Sequence, residues 1–122
     1  MKQIYYFFSS ITFLQLYISI IIECNKKNYK NICIIRKNSK KYSDPLNQNN
    51  FKILNEYSKM YHFDIQYQEN IDFDKLNGII FMVDGDIYGP PRKEIIDESM
   101  LFLIKNNKNI KKIILTEHMN FW

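Results

Sequence analysis

Two aspartates around a single glycine, Asp84-Gly85-Asp86, follow the continuously apolar run Ile79-Ile80-Phe81-Met82-Val83. Carboxylates so placed, at the end of a buried strand, can offer hard oxygen ligands to Mg²⁺ or Mn²⁺. The same residues also suit a solvated turn. Gly85 and Gly89 permit tight backbone conformations, and Pro90-Pro91 lead into a helix whose first turn carries Glu94. A second pair, Glu117-His118, follows the apolar stretch 113–115, where His118 can serve as a general base. His62 closes an amphipathic stretch, where a cation suits the carboxyl end of a helix. The sequence contains no Gly-x-Ser-x-Gly elbow and no Cys/His zinc spacing. The expected metal ligands are therefore Asp84 and Asp86. The expected interaction surface is Asp84, Asp86, Tyr88, Glu117 and His118. No catalytic set and no cofactor are expected.

These residues need strands to hold them. A strand is expected over 31–36, where NICIIR is apolar almost throughout, and another over 79–83. Residues 63–67 alternate apolar and polar and read as an edge strand; 111–116 is the last strand expected. Phe51, Leu54, Tyr57 and Tyr61 recur at helical spacing, which predicts an amphipathic helix over 51–61. A second helix is expected over 91–106 and a single helical turn over 72–76. Asp44-Pro45 marks 37–50 as a loop. The order β-α-β-β-α-β, with continuously apolar strands, predicts an α/β domain. Its expected form is a small, open, mostly parallel sheet of about four strands, flavodoxin- or amidotransferase-like. Functional loops of such sheets lie at the carboxyl ends of the strands, which here means 37–50, 84–91 and 117–122. Two substantial helices for two sheet faces read as a partial domain, either a fragment or one completed by a partner surface.

The N-terminal segment carries no charge from Ile4 to Ile22, a run of 19 residues after Lys2. It has the order of a signal peptide and the length of a membrane span. Ser9, Ser10, Thr12, Gln15 and Ser19 dilute its apolarity and favour a cleaved leader over a permanent anchor. The expected organisation is a leader or signal-anchor helix over 1–24, a linker over 25–30 and the α/β domain over 31–122. It implies the secretory pathway, with membrane contact through residues 4–22.

Composition narrows the partners. The chain has 122 residues, one domain's worth, with 46% hydrophobic and 25% charged residues. There are 21 Ile, 15 Lys and 14 Asn against one Val and no Ala, a codon-driven bias that weakens arguments from residue choice. The net charge of +4 is spread over scattered lysines with only two arginines, Arg36 and Arg92, so nucleic-acid binding is not expected. Cys24 and Cys33 exclude a disulfide scaffold, and Cys33, inside an apolar run, reads as a buried small hydrophobe.

Three stretches together resemble one family. They are Asp44-Pro45-Leu46 with Asn50-Phe51 and the following helix, then residues 78–95, then 113–120. They are similar to the α/β accessory domain that follows the catalytic domain in site-1 protease, a membrane-bound, subtilisin-like enzyme. The fit lies in Met82-Val83-Asp84, Asp86, Tyr88, Pro90 or Pro91, Glu94-Ile95, Thr116-Glu117 and Asn120. The subtilisin catalytic Asp, His and Ser with their Gly-rich surroundings are absent. The resemblance therefore implies a non-catalytic accessory module whose partner is another protein or the remainder of a longer chain. Two alternatives stand beside it. One is a metal-dependent domain of the glycosyltransferase type using Asp84-Gly85-Asp86. The other is a luminal subunit resembling the 48-kDa component of oligosaccharyltransferase.

Overall fold

The computed structural model describes residues 2–8, 14–35, 48–83 and 104–115. In chain order the elements are β1 (Gln3–Phe8), α1 (Leu14–Lys26), β2 (Lys30–Ile35), α2 (Gln48–Tyr61), β3 (Asp64–Tyr67), β4 (Gly78–Val83) and β5 (Ile110–Leu115). The strands form one all-parallel sheet in the order β3-β2-β1-β4-β5. The α/β class and the parallel sheet expected from the sequence are both present. The expected strands over 31–36, 63–67, 79–83 and 111–116 correspond to β2, β3, β4 and β5. Among the described residues β3 pairs only with β2, as an edge strand should. The observed order 3-2-1-4-5 follows the standard doubly wound sheet and not the expected flavodoxin order 2-1-3-4-5, because the sheet has five strands where about four were expected. The additional strand, β1, is inserted between β2 and β4.

That inserted strand comes from the segment expected to form one N-terminal apolar helix. Gln3–Phe8 instead pairs with β2 on one side, from Gln3↔Lys30 to Phe8↔Ile35, and with β4 on the other, from Ile4↔Ile79 to Tyr6↔Phe81. The helix that follows is 13 residues long. No helix among the described residues is long and apolar enough to cross a membrane. The expected linker over 25–30 is also absorbed. Asn25 and Lys26 finish α1, and Lys30 opens β2.

Successive strand residues face opposite sides, so each strand feeds two cores. Ile4, Tyr6, Cys33 and Ile35 pack with Leu14, Tyr17, Ile18 and Ile21 of α1 and Leu54 of α2. Tyr5, Phe7, Ile32, Ile34, Ile80 and Met82 face the other way, onto Phe73, Leu76, Ile104 and Ile110. Helices α1 and α2 lie on one face, as right-handed crossovers along β1-β2-β3 require. Residues 71–76 lie on the other, because the chain must cross the sheet from edge strand β3 to reach β4 beside β1. The single helical turn expected over 72–76 is a hydrogen-bonded turn, with Lys75 N–H donating to the Asp72 carbonyl at 3.1 Å. Of the helix expected over 91–106, the described part is 104–106, and it is helical. The rest of it and 37–47 of the loop expected over 37–50 lie outside the described residues, while 48–50 belong to the first turn of α2 and not to a loop.

Both long helices stop in the same way. Asn28 and His62 take positive φ, 61° and 60°. Tyr29 N–H then reaches back to the Cys24 carbonyl at 3.1 Å, and Phe63 N–H to that of Ser58 at 3.2 Å. This six-to-one bond with a left-handed residue is the Schellman stop, usually built on glycine. It turns the chain sharply enough for β2 and β3 to begin directly after α1 and α2. His62 lies at the carboxyl end of α2, where it was expected, and also supplies the left-handed residue of the stop.

Candidate functional site

In an open parallel sheet a ligand crevice forms beyond the strands' carboxyl ends, where the strand order reverses direction. Here the chain builds outward from β1 to β2 and β3, then returns to place β4 and β5 on the opposite side of β1. The reversal therefore falls between β1 and β4. The described part of β4 ends at Val83, next in sequence to Asp84. The described parts of β4 and β5 stop side by side, with Val83 paired to Leu115. Asp84, Asp86, Tyr88, Glu117 and His118 themselves lie outside the described residues. What the structure supplies is the frame that feeds them.

That frame is held at its amino edge by one asparagine. Asn107 is 5% exposed. Its Nδ2 donates to the Phe73 carbonyl at 3.1 Å and the Leu76 carbonyl at 2.8 Å, while its Oδ1 accepts from Asn109 N–H at 2.8 Å. Its own carbonyl accepts from Lys112 Nζ at 2.9 Å. One side chain thus ties the segment that enters β4 to the turn that enters β5. Next to it, Gly78 adopts φ +122°, and a Cβ at this position would stand 2.2 Å from the Gln3 carbonyl oxygen. Only glycine lets β4 start this close to β1. Lys2, Gln3, Asn77 and Gly78 line an open depression of about 390 Å³ there.

A second polar chain fixes β1 between its neighbours. Buried Tyr6 donates from its hydroxyl to Asn31 Oδ1 at 2.6 Å. Asn31 Nδ2 donates to Asn25 Oδ1 at 2.8 Å, and Asn25 Nδ2 to the Tyr61 carbonyl at 2.5 Å. The chain runs from the central strand through β2 to the carboxyl ends of α1 and α2, satisfying an end carbonyl of α2. The Tyr6 ring stacks on Phe81 of β4, with centroids 5.4 Å apart and planes 6° from parallel. Burial, and secondly a hydrogen bond with Cys24, hold the Tyr6 hydroxyl protonated far above the usual tyrosine range. It is a structural donor with no acid–base role near neutrality. Tyr17, on α1, donates to the Phe7 carbonyl at 2.9 Å.

Among the described residues, the other titratable groups with shifted values mark no reactive centre. Cys33 is fully buried, and burial pushes its thiol well above the usual range, which makes it the inert core residue expected from sequence. The Asp74 side chain hydrogen-bonds that of Asp72, lowering the Asp72 carboxyl and raising its own, on a solvent-exposed turn. Among the described residues no group of three or more His, Cys, Asp or Glu could hold a metal ion. The residues the sequence reading missed are Asn25, Asn31 and Asn107, three of 14 asparagines in a chain whose codon bias makes asparagine uninformative. The available signal was Asn31 at the head of an otherwise apolar run.

The fold and its reversal point define a doubly wound parallel α/β domain. No family model, curated protein or solved structure matches the chain. No Gly-x-Gly-x-x-Gly fingerprint accompanies the sheet, since the three glycines are Gly78, Gly85 and Gly89.

Proposed function

We propose that the chain is a non-catalytic α/β interaction domain of a secretory-pathway, subtilisin-like serine protease, of the kind that follows the catalytic domain in site-1 protease. The observation that carries this reading is the parallel pairing of β4 with β5, which includes Val83↔Leu115. Met82 and Val83 therefore lie beside Ile114 and Leu115, so the two stretches of the resemblance that continue in sequence past Val83 and Leu115 start from neighbouring strands. α2 supports it further, because it is the helix that accompanies Asn50-Phe51 in the resemblance; it begins at Gln48 and includes both residues. The partner in this reading is a protein surface, either a separate subtilisin-like catalytic chain or the remainder of a longer one. Sequencing full-length transcripts from the source genome tests it, together with co-expression of the chain with a subtilisin-like catalytic domain encoded there. The expected result is a continuous reading frame joining the two domains, or a one-to-one complex on gel filtration. Transcripts that end with this domain, combined with no complex, would overturn the proposal.

Asp84 follows Val83 in sequence, and β4 borders the reversal of strand order; this favours one second reading, a divalent-metal site of the glycosyltransferase type. On that reading Mn²⁺ raises the melting temperature of the wild-type chain, and the increase disappears in Asp84→Asn/Asp86→Asn. A titration that leaves the wild-type melting temperature unmoved removes it.

A further inference from the structure

We draw no further inference here: the strongest candidate, the open depression of about 390 Å³ at the amino edge of β1 and β4 lined by Lys2, Gln3, Asn77 and Gly78, carries nothing because no buried, unpartnered polar side chain among the described residues points into it and nothing in the structure shows what would occupy it.

Discussion

Replacing Gly78 by alanine tests the central claim of the fold, that β4 starts against β1. The new Cβ would sit 2.2 Å from the Gln3 carbonyl oxygen and 3.2 Å from its carbonyl carbon. Both are backbone atoms, so no side chain can swing aside to relieve the contact. Relief requires β1 and β4 to separate locally, which costs about 1–3 kcal/mol as overpacking. Holding alanine at φ +122° adds about 1–2 kcal/mol. The total of about 2–5 kcal/mol is a large part of the 5–15 kcal/mol that a domain of ordinary stability possesses. With an unfolding entropy near 2.1 cal/mol/K per residue, each kcal/mol lowers the melting temperature by about 4 °C in a chain of this length. The expected fall is therefore about 8–20 °C, read by circular dichroism or scanning calorimetry. Asn77→Ala, at the exposed neighbouring position, serves as the control and is expected to stay within about 0.5 kcal/mol of wild type. If Gly78→Ala is no worse than that control, β4 does not begin against β1 as described.

Three further outcomes follow from the same frame. A chain starting at Asn25 lacks β1 and nearly all of α1, and with them buried Ile4, Tyr5, Tyr6, Phe7, Leu14, Tyr17, Ile18 and Ile21; at about 1.5–3 kcal/mol for each large apolar side chain, the loss rivals the whole stability, so the fragment should show no cooperative unfolding. A well-folded 25–122 fragment would instead support a dispensable leader. Asn107→Ala leaves the Phe73 and Leu76 carbonyls without their donor and should cost about 2–4 kcal/mol by urea denaturation; a change under about 0.5 kcal/mol would mean that Asn107 does not clamp the two strands. His62→Gly removes a side chain from a left-handed position and should raise stability by about 0.5–1 kcal/mol, whereas a loss of stability would show that the His62 side chain makes contacts the backbone argument omits.

Four strands and α2 were legible because their patterns admit one reading each. Ile32, Cys33, Ile34 and Ile35 are all buried, as a continuously apolar strand covered on both faces must be. Residues 64–67 alternate between exposed and half-buried, as an edge strand does. The N-terminal segment was misread as one helix because absence of charge is shared by leaders, membrane spans and buried elements. Its polar residues held the discriminating signal. Gln15, Ser19 and Glu23 recur every four residues and are all exposed, while Leu14, Tyr17, Ile18 and Ile21 are buried between them. Polarity spread at random would only dilute a leader; at this spacing it is the wet face of an amphipathic helix. The connections beyond β2, β4 and β5, where the expected functional residues fall, lie outside the described residues. No sequence pattern short of a specific motif fixes loop chemistry of that kind.

The placement of β1 has a kinetic consequence. Of the five described strands, the one at the middle of the sheet is made first, yet one of its two ladders waits for β4, with Ile4 pairing to Ile79. Early in synthesis β1 can find only β2, and the flank that will receive β4 stays open. An apolar, uncharged stretch left half-paired in this way is what chaperones bind. How soon the segment is enclosed in the sheet is then a race between outside binders and the synthesis of β4. Slowing translation between β3 and β4 would lengthen that race without altering a single contact in the finished fold.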